Sequence, residues 1–194
     1  MVKRRLLAYL IDILIVSIIF VGIILILPKN NNINVLESEL TVLNEQFLKE
    51  DLETSVYINR YANITHAMDK ENVLQVILNT LCILIYFVLL PYYWDGRTIG
   101  MKLCKIRIVK EKEKLSIGDL TTRALIINGI ACTLLSLCFI YLVGDIPYFV
   151  LSTILGFVQF LLVIFSGFMV IYRHDKKGVH DLISHTQVVL EGKV

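Results

Sequence analysis

Twenty-two consecutive residues, Leu6 to Leu27, carry one charge among them, that of Asp12. The run follows Lys3, Arg4 and Arg5 and stops at Pro28. A helix needs about 20 apolar residues, at about 1.5 Å each, to cross the hydrocarbon core of a bilayer. The run meets that length, so its backbone is expected to satisfy its own hydrogen bonds as a membrane-spanning helix. A carboxylate inside such a helix costs about 2.5 kcal/mol or more near the centre, and it usually faces a bundle interior or a wet cavity. Asp12 is therefore the first candidate functional residue.

Three further stretches, Val73–Trp94, Ala124–Val143 and Ile146–Tyr172, hold no Asp, Glu, Lys or Arg. With residues 6–27 they predict four spans in one integral membrane domain covering 1–194. The fold class expected is an all-α membrane protein, a four-transmembrane-helix bundle. Apolar residues make up 56% of the chain and charged ones 19%, below the roughly 25% of a soluble domain.

Lys and Arg set the expected orientation. The N-terminus carries three, residues 95–123 carry eight, and the tail 173–194 carries four. The Gly144–Asp145 connection carries none, and residues 28–72 carry four cations against eight acids. Both termini and the 95–123 loop are expected in the cytoplasm, with 28–72 outside. The first run is too long for the apolar core of a secretory signal and no small-residue cleavage site follows it, so it reads as an anchor that stays. Cys82, Cys104, Cys132 and Cys138 lie outside the external segment, so no disulfide framework is indicated, and Cys132 and Cys138 read as small packing residues.

Within 28–72, Lys29 to Asn32 read as a polar turn. Leu36, Leu40, Leu43 and Phe47 recur at helical spacing among Glu37, Glu39, Glu45 and Glu50. That pattern predicts an extracellular amphipathic helix capping the bundle or lying on the membrane, with an external partner as the other reading. Ile106–Val109 alternates and Thr186–Leu190 is β-branched, so each reads as a short strand. Strands this short need partners, and the two are expected to pair with each other. Ser116 to Thr122 reads as a turn into a helix, with Asp119 as its N-cap. No phosphate loop, dinucleotide fingerprint or nucleophile–base frame is evident, and an enzyme is not expected. No internal repeat is evident either.

Three separated motifs carry a resemblance: Arg5-Leu-Leu-Ala-Tyr-Leu-Ile-Asp12, then Asp95-Gly96-Arg97-Thr-Ile-Gly100 running on to Val109, then Gly178-Val-His-Asp181 followed by Thr186, Val188 and Val189. In this order they resemble the RDD family of bacterial membrane proteins. The resemblance assigns the family's arginine to Arg5 and its two aspartates to Asp12 and Asp181, and it places Gly96, Arg97 and Gly100 in the central motif. Ser184-His185 departs from the small Ala-Gly pair common in the family. The family's activity is largely unestablished, and transport, including cation/proton exchange, has been suggested for it.

If the four spans hold, Asn128, Tyr86 and Ser166 lie at a depth similar to that of Asp12, with Gln159 nearer the midplane. Asp12, Arg5, Asn128, Tyr86 and Ser166 are therefore the candidate ion- or proton-binding set. The competing reading makes Asp12 a hydrogen-bonded strut or a partner of Arg123. Arg97 is expected on a lipid phosphate or on Asp181, and the Tyr92–Trp94 aromatics in the interfacial belt. His174, Asp175, His180, Asp181 and His185 have metal-ligating types, but Lys176 and Lys177 oppose a cation and no zinc spacing is matched, so no metal or cofactor is expected. Expected partners are anionic lipid headgroups at the basic loop rather than nucleic acid, with a homo-oligomer or a partner membrane protein left open. Two functions follow: transport of a small ion or ligand through an intramembrane carboxylate, or a non-transporting accessory that scaffolds partner membrane proteins.

Overall fold

The computed structural model describes residues 1–27, 31–110 and 113–191. Pro28, Lys29 and Asn30, Glu111 and Lys112, and Gly192 to Val194 lie outside the described residues. The stop at Pro28, the start of the polar turn and part of the basic loop and tail therefore lie outside them too.

Helix α1 spans Val2–Ile26, and only Ala8, Asp12 and Val16 on it are buried. These positions are four apart, so they form one narrow stripe facing the bundle while the other sides stay apolar and exposed. Asp12 lies in the middle of that stripe. α2 (Asn31–Leu48) and α3 (Thr54–Glu71) then form a helical hairpin. Phe47 stacks on Tyr57 at 4.1 Å, and Tyr57 donates to Asn44 at 2.9 Å, closing the hairpin near its turn. The first of these helices matches the sequence expectation. The second was not foreseen, because α3 is polar along most of its length and its buried positions, Ala62, Ile64 and His66, do not form an apolar ladder.

α4 runs Val73–Tyr93 and contains a π turn over Ile85–Leu89. Such a turn shifts the following side chains around the helix and often marks a functional position; Tyr86 and Val88 are its buried members. α5 (Ile99–Leu103) is capped by Thr98, whose hydroxyl accepts from the Met101 amide at 3.2 Å, and β1 (Ile106–Lys110) follows. α6 spans Ile117–Ile127. Its N-cap is Ser116 and not Asp119: Asp119 is the third helical residue and returns its carboxylate to Ser116 in a reciprocal capping box.

α7 spans Ile130–Leu142 and makes a 70° bend with α6. The expected continuous span Ala124–Val143 is therefore two half-helices. Asn128 ends the first, Gly129 adopts φ 70°, and the chain restarts at Ile130. Glycine takes that left-handed conformation readily, and a Cβ at this position would also sit 3.1 Å from the Gln159 side chain. Gln159 in turn donates to the carbonyls of Ile126 (3.1 Å) and Ile127 (3.4 Å), satisfying the end of the broken helix. α8 (Asp145–Tyr172), α9 (Val179–Ile183) and β2 (Thr186–Leu190) complete the described chain. Among the described residues three helices, α1, α4 and α8, are long and apolar enough to cross a bilayer, and the bent pair α6–α7 adds a fourth if it counts as one span.

β1 and β2 pair antiparallel with Ile108 opposite Val188, as their patterns predicted. Ile106, Ile108 and Val188 pack with Ala8, Val88, Leu120, Ala124 and Ile130 in one cluster that joins the sheet to the helices. The structure also holds a repeat that the sequence hides. Residues 95–110 and 175–190, eighty positions apart, follow the same order of elements, although Asp95 is left-handed (φ 49°) and Asp175 is not. In each copy a five-residue helix has an extended N-cap (Thr98 ψ 175°, Gly178 ψ 176°), then a left-handed residue (Lys105 φ 54°, His185 φ 52°), then a five-residue strand. Equivalent residues Ile108 and Val188 face one another, the register a two-fold axis produces. The two stretches share only Asp95/Asp175 and Val109/Val189 as identical pairs, which explains why the pattern is silent in sequence.

Candidate functional site

Asp12 is 1% exposed and fully engaged. Its carboxylate accepts from the Tyr86 hydroxyl at 2.6 Å, the Thr98 hydroxyl at 2.6 Å and the Gly100 amide at 2.7 Å. The π turn of α4 presents the first donor, and the N-terminal turn of α5 presents the other two. Gly100 makes this possible by its size, since a Cβ there would lie 2.3 Å from the Ala8 carbonyl and 2.7 Å from Asp12. Asp12 thus ties the motif after α4 onto the buried stripe of α1. Its partners are not Arg5 or Arg123.

Asp181, fully buried, is the second charged centre. Arg5 from the start of α1 and Arg123 from α6 both donate to it, and the Gly178 amide adds a bond at 3.0 Å. Arg5 also donates to the Lys176 carbonyl, and Arg123 reaches Thr186 at 3.4 Å. Burial pushes the Asp181 carboxyl up, yet the guanidinium groups of Arg123 and Arg5 outweigh it and hold it well below the usual carboxylate range. Beside it, burial and then Arg123 push His180 down to about 3, so its ring is neutral. The Ser166 hydroxyl shares a hydrogen bond with His180 Nδ1 at 2.7 Å and accepts from the Val179 amide at 3.2 Å, so it acts as a strut between α8 and α9. His180 Nε2 lies 3.4 Å from the Asp181 carboxylate.

The sequence-selected residues therefore divide. Asp12 and Tyr86 bond each other; Arg5 and Ser166 belong to the Asp181 cluster; Asn128 stands apart, at the break between α6 and α7. Arg97 pairs with Glu191 at 2.8 Å and with Asp95, not with Asp181. Gly96 accepts from the Ile108 amide at 2.8 Å and shapes the entry to β1. Thr98 and Asn79 carry no signal in the sequence; Arg123 is expected there only as a partner of Asp12, and His180 only among the metal-ligating types of the tail.

Three cavities adjoin one another along the bundle. One of about 270 Å³ is lined by Asp12, Arg5, Tyr9, Arg123, Ser166 and His180 among others. The next, about 500 Å³, shares Tyr9, Phe87 and Ile127 with it and adds Ser17, Asn79, Asn128 and Gln159. The third, about 510 Å³, shares Phe20 and Asn79 with the second and reaches Asp69, Gln75, Ser136 and Tyr148. Near that far end His66, 1% exposed, is held by Asp145 at 2.7 Å and the Ile140 carbonyl at 2.8 Å. Its ring stacks on Tyr148, whose hydroxyl donates to Asp69 at 2.9 Å. The polar lining thus extends from the strand end of the bundle to the hairpin end.

A family model described as RDD family matches residues 1–185. The chain is also 31% identical over 109 residues to the uncharacterized protein YckC of Bacillus subtilis (strain 168). That match covers 56% of this chain and 57% of YckC, so the chain spans a little over half the length of that relative. No solved structure matches.

Proposed function

The chain belongs to the RDD family, and from that premise we propose that it is a multi-pass protein of the cell membrane that transports a small ion or ligand. The observation that carries this reading is the succession of three cavities that share lining residues, from Asp12 and Arg123 through Asn79 and Gln159 to Asp69 and Tyr148. Hydroxyls, amides and carboxylates cost free energy in hydrocarbon, so their concentration along these cavities supports the reading. The broken span supports the same reading, because discontinuous helices and repeated halves are common where transporters bind their cargo.

In the orientation the Lys and Arg bias favours, both termini and the strand pair face the cytoplasm and the acidic hairpin α2–α3 faces out. Asp12 is then the carboxylate at the cytoplasmic end of the route. Its role as an exchange site requires a cation or proton to compete with three hydrogen-bond donors, so its motion and that of α5 are coupled. The basic loop, with Arg97, Lys102 and Lys105, is suited to anionic headgroups.

A second reading, an accessory that binds partner membrane proteins, is favoured by one observation. The hairpin carries an outward groove of about 600 Å³ lined by Glu39, Val42, Gln46, Asn59 and Arg60.

The deciding experiment reconstitutes the protein in liposomes and follows a pH gradient on adding Na⁺, K⁺ or Li⁺, and the equilibration of uncharged solutes. Wild type is compared with Asp12→Asn and with Ser17→Phe, which fills the middle cavity without touching either charged centre. Flux that Ser17→Phe abolishes supports transport. Absence of flux for every probe, in protein that is folded, discards transport and leaves the accessory reading.

A further inference from the structure

The middle cavity differs from its neighbours in carrying no charged side chain. Its polar groups come from α1, α4, α8 and the α6–α7 break, and part of their hydrogen-bonding capacity is open. Asn79 on α4 and Gln159 on α8 each bring an amide to this shared cavity. Gln159 spends its NH₂ on the carbonyls of Ile126 and Ile127, which leaves its carbonyl oxygen with only a weak contact from Cys132 at 3.8 Å. Asn128, placed by the break, has its side-chain Nδ2 buried with no partner. Neither Ser17 nor Asn79 bonds another side chain or the backbone through its side chain among the described residues.

A buried amide donor without a partner costs about 1–3 kcal/mol, so a break that places one beside a second amide and a hydroxyl is costly unless something occupies the space. An ion is a poor occupant: a full charge there would face no opposing charge, and the open donor of Asn128 repels a cation. The cavity volume, about 500 Å³, lies in the range that holds small organic molecules. We infer that this mid-bundle cavity is a binding site for a small uncharged solute with both hydrogen-bond donors and acceptors, of the polyol or urea type, held by Asn79, Asn128 and Gln159. This rests on the transport reading and names the class of its cargo.

The test uses the full chain in proteoliposomes, with glycerol and urea as probes, read by stopped-flow light scattering. Wild type should equilibrate at least one of the two faster than protein-free vesicles. Asn79→Leu and Asn128→Leu should each slow that flux about tenfold, the weight of one buried hydrogen bond. Asn128→Leu removes the open donor and is expected to fold at least as well as wild type, which a thermal melt in detergent checks; Asn79→Leu supplies an independent variant. Unchanged flux in folded variants, or no acceleration of either probe by wild type, overturns the inference. If Na⁺, K⁺ or Li⁺ then moves while glycerol and urea do not, transport stands and the uncharged cargo falls. If nothing moves, both fall.

Discussion

Tyr86 and Ser166 act in parallel at the strand end of the bundle. Each is a buried hydroxyl on a long helix, and each fixes the short helix that follows it. Tyr86 does so through Asp12, which also bonds Thr98 and Gly100, while Ser166 bonds the Val179 amide and His180 directly. The parallel makes the family's two aspartates intelligible as a division of labour. Asp12 fastens the first copy to α1, and Asp181 fastens the second to α1 and α6 through two guanidinium groups. The strands then pair across the junction and close the strand end.

Asp12→Asn should destabilise the protein even though it keeps the side chain's size. An amide offers one acceptor oxygen and turns its NH₂ toward a donor that has lost its partner, at a cost of about 1–3 kcal/mol. Tyr86→Phe removes one donor and leaves two, so its cost should be smaller, about 1 kcal/mol. Thermal unfolding of the two variants in detergent ranks them, and a Tyr86→Phe loss as large as that of Asp12→Asn would contradict the three-donor account.

Asp181→Asn should be the more damaging acidic substitution, by about 3–5 kcal/mol, because it leaves two partly buried guanidinium groups facing one another. Adding Arg123→Gln to Asp181→Asn removes one of those charges and should recover part of the loss. A double variant that is no more stable than Asp181→Asn alone would mean that the guanidinium–guanidinium repulsion is not what the single substitution exposes.

The Asp181 cluster should also weaken in acid. His180 is held down at about 3 when folded, against about 6.5 unfolded, so the unfolded chain binds the extra proton and stability falls as pH drops from about 6.5 toward 3. Asp181, held below its usual value, adds a second loss once pH passes below about 4. Above about pH 7 neither group contributes a slope. Melting temperature measured between pH 8 and 4 should therefore decline on the acid side, and His180→Gln, which still offers Ser166 an acceptor, should flatten the part between pH 7 and 5. An unchanged slope in that variant would remove His180 as its source.

Much of this was legible in the chain because hydrocarbon tolerates few exceptions. Lone charges such as Asp12 stand out, apolar runs give α1, α4 and α8 to within a few residues, and the alternation of Ile106 to Val109 predicts the strand pairing. What stayed hidden depends on geometry that composition does not encode. Asn128-Gly129 sits inside an apolar run and reads as tolerated polarity until Gly129 is seen at φ 70° with Gln159 closing the carbonyls. The π turn that delivers Tyr86 has no sequence signal. α3 was missed because its contacts to the bundle are aromatic and polar, as in the Tyr61–Phe149 edge contact and the His66–Asp145 bond. The repeat was hidden because backbone conformation persists where side chains have diverged.

That divergence has a measurable cost at His185. Its φ of 52° is left-handed, a conformation that costs a residue with a Cβ about 1–2 kcal/mol. His185→Gly should relieve that strain, offset in part by the entropy glycine gains in the unfolded chain. The net expectation is a gain of up to about 1 kcal/mol, seen as a higher melting temperature. Lys105→Gly, at the equivalent site with φ 54°, should behave alike. Destabilisation in both would show that the side chains, not the backbone, set the preference there.

The hairpin end offers a last test, because His66 joins three elements at one ring. Its Nδ1 faces the Asp145 carboxylate at the start of α8, its Nε2 faces the Ile140 carbonyl on α7, and its plane lies 20° from that of Tyr148. His66→Phe keeps the stacking and removes both bonds, leaving the Ile140 carbonyl at the end of α7 without its partner, a loss of about 1–3 kcal/mol. Asp145→Asn keeps an acceptor for Nδ1 and should cost less. The two variants separate by hydrogen exchange in α2 and α3: His66→Phe should speed exchange across the hairpin while leaving β1 and β2 protected. Equal protection of the hairpin in His66→Phe and wild type would mean that the aromatic contacts of Tyr57, Tyr61 and Phe149 hold it without His66.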